Sequence, residues 1–236
     1  MVSAVLFDLD DTLVDDRHAN HTAIAGVRER FAGLQRVALE ELLAESARLL
    51  DELHRAVALG RVAVDDARVE RYRRLFAFAG ANGAAEPEAA ARLHRALYYR
   101  SRRRVPGALE LIETLSALVR IAVVTNNTQV EQHEKLATFG FAPYVQNLVT
   151  SEEVGASKPD PRIFRTALAR VECDPGEAVM IGDSLVHDVE GALAAGIEPF
   201  WFDRDGAAAA LKRPIRVLTS LEPATEVAQR ILARKN

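Results

Sequence analysis

Residues 5–16 read Val5-Leu6-Phe7-Asp8-Leu9-Asp10-Asp11-Thr12-Leu13-Val14-Asp15-Asp16, and the fold turns on what this stretch becomes. An apolar run leads straight into five carboxylates. Carboxylates repel one another and resist burial, so a buried strand that ends in them needs cations nearby or chemistry to perform. Residues 4–9 read as a short buried strand. Alternation along its end sends Asp8 and Asp10 in similar directions. Such a pair can supply a nucleophile and an acid/base group, and it is equally consistent with an ordinary acidic turn.

Outward from this strand the pattern changes twice. From Arg17 to Arg100 the sequence is rich in Ala, Leu, Arg and Glu at helical spacing, as in Leu39, Leu42, Leu43 and Leu49, Leu50, Leu53. Breakers near Gly60, Gly80–Gly83 and Pro87 predict about four helices and no strand. After Pro106-Gly107 helices and apolar strands alternate. Strands are predicted at Ile121–Thr125, Tyr144–Thr150, Glu177–Asp183 and Ile197–Phe202, with a last edge strand near Ile215–Leu221. Helices are predicted between them, at Ala108–Val119, Gln129–Gly140, Asp160–Arg170 and Leu185–Gly196, and one more at the C-terminus. Apolar strands alternating with helices predict an α/β fold, a Rossmann-like parallel sheet covered on both faces. The helical block then becomes an insertion. The expected division is 1–15 with 105–236 as the α/β core domain, and 16–104 as an all-helical cap. Ligands gather at the carboxyl ends of strands in such sheets.

Three further clusters stand out, two of them just after strands. Thr125-Asn126 offers a hydroxyl and amide donors suited to phosphate oxygens, and equally to a turn. Lys158 precedes Pro159 at a helix entry. Of 30 basic residues only Lys135, Lys158, Lys212 and Lys235 are lysine, so a lysine here suggests a compact point charge rather than a planar fork. Asp183 follows Gly182, and Asp188 lies near the start of the next helix. Carboxylates in that arrangement suit a hard cation such as Mg²⁺, or simple helix capping.

Taken in order, Asp8, Asp10 and Thr12, then Thr125, then Lys158, then Gly182, Asp183 and Asp188 match the signature of the haloacid dehalogenase-like (HAD) hydrolase superfamily. The chain resembles that family's phosphatase branch, with an α-helical cap inserted after the first motif. The resemblance implies a Mg²⁺-dependent phosphomonoesterase acting on a small phosphorylated metabolite. Asp8 would attack phosphorus and form an aspartyl-phosphate, and Asp10 would act as acid and then base. Asp8, the backbone carbonyl of Asp10 and Asp183 would hold the metal. Thr125, Asn126 and Lys158 would grip the phosphoryl group, and Asp188 would support them by orienting Lys158 or through a bound water. Family dehalogenases lack the second aspartate, so Asp10 argues against that reaction. A phosphomutase and a non-catalytic binding protein are the alternatives. Asp11 stands where glycine is usual in the family and is expected to be a turn residue.

A net charge of −4 gives no basic field for nucleic acid or anionic membrane. No apolar run has the length of a membrane span or a signal segment. With one cysteine, Cys173, no internal disulfide forms, and a cytoplasmic location is expected. Nothing in the pattern indicates an oligomeric state. Arg100, Arg102, Arg103 and Arg104 read as a solvated hinge, with contact to a second anionic group of a substrate as the alternative. His18 and His21 could equally face a cleft or form a polar helix face. Trp201 and Phe202 are expected to pack in the core.

Overall fold

The computed structural model describes residues 1–58, 60–81, 86–210 and 214–233. They form two compact units, Met1–Asp15 with Arg104–Asn236, and Asp16–Arg103. Gly83, one of the expected breakers, and Lys212 and Lys235 lie outside the described residues.

The first strand, β1 (Ala4–Phe7), is wholly buried. Its side chains alternate between two cores. Val5 and Phe7 enter a cluster with Leu111, Ile121, Val179 and Phe200, whereas Ala4 and Leu6 join Val149, Ile163, Phe164 and Met180. A strand buried on both faces needs a continuous apolar run, which explains why it reads as one. Truncating Phe7 to alanine would cost about 3–5 kcal/mol. The strand stops two residues short of the expected end. The Asp8 amide donates to the Ile181 carbonyl at 2.9 Å, and the chain then turns. Asp11 takes φ 66°, a left-handed conformation that aspartate tolerates better than most residues, and its amide closes the turn on the Val14 carbonyl at 2.7 Å.

The second unit follows as four helices among the described residues, α1 (Asp16–Arg30), α2 (Leu39–Ala58), α3 (Val64–Phe78) and α4 (Glu86–Ser101). Ile24, Val27, Leu42, Leu49, Leu75 and Phe76 form its core. Gly60 and Gly80, both with positive φ, fall in the breaks between helices. Pro87 instead sits in the first turn of α4, where its missing N–H breaks no helical hydrogen bond. Arg104, expected in the insertion, belongs to the sheet unit: it bridges to Val14 and donates to the Phe139 carbonyl at 3.1 Å.

The chain then alternates: α5 (Ala108–Ser116), β2 (Arg120–Thr125), α6 (Gln129–Thr138), β3 (Asn147–Thr150), α7 (Ser151–Val154), α8 (Pro161–Arg170) and β4 (Ala178–Gly182). A π-helical turn at Leu185–Glu190 leads into α9 (Gly191–Ala194), followed by β5 (Glu198–Phe202), β6 (Arg216–Leu218) and α10 (Ala224–Leu232). The six strands form one sheet in the order β3-β2-β1-β4-β5-β6, with every neighbouring pair parallel. This is a Rossmann-like α/β fold. The order reverses beside β1, and the crevice at such a switch point lies outside the carboxyl ends of the strands. Phe7 of β1 pairs with Val123 on one side and Ile181 on the other, so Asp8 emerges level with the ends of β2 and β4.

Candidate active site

Every sequence-predicted site residue lies in the sheet unit, just beyond the ends of β1, β2 and β4 or on the loop before α8. Lys158 is the centre of one half of the site. Its Nζ donates to Asp8 Oδ1 at 2.5 Å and to Asp188 Oδ1 at 2.6 Å. All three residues are buried, Lys158 to 4% exposure. Burial would push the lysine's pKa down, but the charges of Asp188 and Asp8 and their hydrogen bonds more than offset it, and the pKa is raised. Burial pushes the Asp8 carboxyl well above the usual carboxylate range. Lys158 opposes that shift, while the charges of Asp188 and Asp183 add to it.

Asp188 reaches this position by laying its side chain against the backbone of Gly182. An added Cβ on Gly182 would lie 2.3 Å from the Asp188 carboxyl, so only glycine leaves room. The sequence predicted one continuous helix from Leu185. The structure instead opens it with a π-helical turn, in which Ser184 caps the His187 amide at 3.1 Å and the Ser184 amide donates to Asp188 Oδ2 at 2.9 Å. Wider turns of this kind often mark functional sites. Both oxygens of Asp188 are thereby engaged, one by Lys158 and one by Ser184.

Thr12 links the first and last motifs. Its hydroxyl donates to Asp8 Oδ2 at 3.2 Å and accepts from the Asp183 amide at 3.1 Å. Trp201, expected only to pack, also donates from its indole to the Asp183 carbonyl at 2.8 Å. Oxygens of Asp8, Asp183 and Asp188 lie within 4.8 Å of one another, a group able to hold a metal ion. The donor set is all oxygen, which suits Mg²⁺ rather than a softer metal. A cation there would also offset the mutual repulsion that raises Asp8.

In the other half of the site Asp10 and Thr125 were expected, but the side chains that hold them were not. Asp10, with 26% of its side chain exposed, forms an ion pair with buried Lys135. Gln132 Nε2 donates to Asp10 Oδ2 at 2.9 Å and to Thr125 Oγ1 at 2.9 Å, and Asn127 approaches the same carboxylate oxygen at 3.5 Å. Burial would raise Asp10, but Lys135, Gln132 and Asn127 together hold it below the usual carboxylate range. Lys135 shares the signal that singled out Lys158, since it is one of four lysines in an arginine-rich chain. Arg204 was missed as well. It donates to Asp11 Oδ1 at 3.2 Å and Asp15 Oδ1 at 3.0 Å, neutralising the outer carboxylates of the opening stretch.

Asn126 turns inward. Its side chain accepts from the Lys158 amide at 2.7 Å and donates to the Lys158 carbonyl at 3.0 Å, pinning the loop that carries the lysine. One amide hydrogen remains for a phosphoryl oxygen. In the helical unit His18 is half-buried and His21 exposed.

A parallel sheet carrying two lysine-paired aspartates at its switch point defines a class, and comparison with known proteins identifies it. The chain belongs to the haloacid dehalogenase-like hydrolases, whose family model matches residues 2–196. It is 34% identical over 226 residues to a phosphoserine phosphatase of Thermus thermophilus, covering 85% of this chain and 88% of that protein. It is 34% identical over 204 residues to a ribulose-1,5-bisphosphate 5-phosphatase of Halopiger xanaduensis, covering 86% and 85%. Among solved structures, a 2-haloacid dehalogenase of Pseudomonas syringae superposes with a TM-score of 0.64 at 28% identity, over 98% of this chain and 99% of the other. No helix among the described residues is long and apolar enough to cross a membrane.

Proposed function

We propose that the protein is a Mg²⁺-dependent phosphomonoesterase that hydrolyses a small phosphorylated metabolite through an aspartyl-phosphate on Asp8. The observation that carries this reading is the pair Asp8 and Asp10, two residues apart, each held by its own buried lysine. The phosphatase relatives support it.

Asp8 would attack phosphorus through a carboxylate oxygen, the bond from phosphorus to the ester oxygen would break, and a proton from Asp10 would pass to the departing alkoxide. Water would then attack the phosphorus, giving its proton to the Asp10 carboxylate. The bond between phosphorus and Asp8 would break and release inorganic phosphate. Mg²⁺ held by Asp8, Asp183 and the backbone carbonyl of Asp10 would supply compensation for negative charge building on the phosphoryl oxygens. The Thr125 hydroxyl, the Lys158 ammonium and the remaining Asn126 amide hydrogen would bind those oxygens. The helical insertion Asp16–Arg103 would act as a cap and hold the determinants of substrate choice.

A dehalogenase neighbour raises the alternative reaction. A halide leaves without a proton, however, so that chemistry has no use for a carboxyl held at the Asp10 position. The test is a panel of phosphorylated metabolites with Mg²⁺, run beside a 2-haloacid. Phosphate release that Asp8→Asn abolishes, with no halide release, is the expected result. Halide release, or phosphate release retained by Asp8→Asn, would overturn the reading.

A further inference from the structure

Asp10 and Thr125 come from different strands, yet one side chain holds both. The two hydrogens of Gln132 Nε2 are both used, one on the Asp10 carboxylate and one on the Thr125 hydroxyl oxygen, each at 2.9 Å. The opposite amide orientation would turn Oε1 toward an anion, and Oε1 has no hydrogen-bond partner among the described residues. The amide is therefore oriented by the two groups it serves. Lys135 lies three residues further along α6, on the same face, and sets its ammonium against the other oxygen of Asp10. Gln132 is fully buried and Lys135 is 3% exposed. An apolar pair would fill this helix face at lower desolvation cost.

We propose that Gln132 and Lys135 are positioning residues of the phosphatase reaction, with α6 aiming the Asp10 carboxyl and turning the Thr125 hydroxyl toward the substrate. This rests on the reading of Asp10 as acid/base and Thr125 as phosphoryl ligand. Donors on both carboxylate oxygens stop the carboxyl from rotating, so one geometry is presented for proton transfer. A threonine hydroxyl has a single hydrogen. When Gln132 donates to its oxygen, that hydrogen points away from Gln132 and is left for an anionic acceptor. A single helix face thus aligns a proton-transfer group and a phosphate donor. Alignment of this kind matters because a displacement of about 1 Å costs on the order of a hundredfold in rate.

The two residues should leave different signatures. Lys135 pairs with the acid/base group, so its loss should fall hardest on esters whose alcohol needs a proton. Gln132 also reaches the phosphate donor, so its loss should slow every ester. The experiment measures the pre-steady-state phosphorylation rate of wild type, Lys135→Met and Gln132→Leu with Mg²⁺, on an alkyl phosphate and on p-nitrophenyl phosphate. Lys135→Met should lose at least about tenfold more on the alkyl ester than on the aryl ester. Lys135→Arg, which keeps a cation on Asp10, should recover part of that difference. Gln132→Leu should slow both esters and weaken inorganic phosphate binding, and the binding loss should vanish in a Thr125→Val background. A structural role alone would lower both esters by one factor. Equal losses for Lys135→Met, or independent losses for Gln132→Leu and Thr125→Val, would overturn the proposal. If Gln132→Leu does not fold, the isosteric Gln132→Glu replaces it. Glutamate would accept from Thr125 and repel Asp10, so it should slow both esters, and unchanged rates would overturn the proposal equally. Wild type that phosphorylates on neither ester would overturn the functional reading and this inference with it. Intact wild-type turnover with unselective variants would overturn this inference alone.

Discussion

Replacing Lys158 with methionine should destabilise the sheet unit by an amount that depends on pH in a defined way. The lysine lies 2.5 Å from Asp8 and 2.6 Å from Asp188, and its removal leaves two buried carboxylates whose oxygens lie within 4.8 Å of each other. At that separation and an effective dielectric constant of roughly 20, their repulsion is about 3–4 kcal/mol. Protonating one of them at pH 7 relieves it, at a cost of about 4 kcal/mol from an ordinary pKa near 4. The two routes have similar cost, so the loss should be about 4 kcal/mol, within the range of about 3–5 for breaking a buried pair. In the variant the folded state holds a carboxyl proton that the unfolded state releases above pH 4. Its stability relative to wild type should therefore rise as pH falls, by up to about 1.4 kcal/mol per unit over the range in which the variant holds that proton and wild type, where Lys158 opposes the rise of Asp8, does not. Urea unfolding in EDTA, followed by the fluorescence of Trp201 on β5, reports this unit directly, because the chain has one tryptophan. Lys158→Met/Asp188→Asn, with one anion removed, should regain at least half of the loss. A pH-independent gap, or a double variant no more stable than the single one, would show that the triad is not held by charge.

Three further outcomes follow from the geometry. EDTA should abolish turnover and Mg²⁺ restore it, and Asp183→Ala should raise the Mg²⁺ concentration required at least tenfold, as a titration of activity would show. In the helical unit His94 is buried against Arg71 and pushed down to about 2, chiefly by burial and then by the charges of Arg71 and Arg68. It stays neutral when folded while the unfolded chain takes a proton below about pH 6.5, so stability should fall by about 1.4 kcal/mol per unit on acidification, a slope that circular dichroism of His94→Phe should find missing. Lys135, Gln132 and Asn127 hold Asp10 below the usual carboxylate range, so the free enzyme carries it as a carboxylate, and the proton that Asp10 passes to the departing alkoxide should reach it from the substrate's phosphate monoanion. The value of kcat/KM should then decline above the substrate's second phosphate pKa, roughly 6, and the limb should move between esters of different pKa; a limb fixed in pH would refute this.

The architecture was legible because each strand carries its own evidence. Val5–Phe7, Ile121–Val124 and Val179–Ile181 are apolar without interruption, as burial on both faces requires, and each is followed within two residues by a polar side chain. That placed Asp8, Thr125 and Asp183 at one edge of a sheet before any strand order was known. What could not be read depended on that order or on helix rotation. Arg204 meets Asp11 and Asp15 because β5 lies two strands from β1, a fact of topology spanning about 190 residues of sequence. Gln132 and Lys135 look like any polar pair on an amphipathic helix until the rotation of α6 against the sheet is fixed. The π-helical turn that carries Asp188 has no compositional mark. Its trace in the sequence is Gly182, whose missing side chain makes room for the Asp188 carboxyl.

Arg204, Lys135 and Lys158 meet the acidic stretch at the N-terminus with cations of two kinds, and the difference is physical. Arg204 lies nearer the surface, with 22% of its side chain exposed, and spreads its planar fork across the carboxylates of Asp11 and Asp15. The described lysines, Lys135 and Lys158, are both buried, and each meets an aspartate of the proposed catalytic pair. Lys158 must touch two carboxylates from different strands in a space with no exposed edge. An ammonium is a compact charge with three donors in a tetrahedral arrangement, which suits that meeting point, whereas a guanidinium needs the room for a plane. Phosphoryl oxygens arriving at the same point present a further tetrahedral target. Among the described residues this arginine-rich chain uses lysine at two places, each where a buried ammonium meets an aspartate of the proposed catalytic pair, whereas the buried cation that meets His94 is an arginine, Arg71. That use of lysine is visible in the sequence, and the structure shows the geometry behind it.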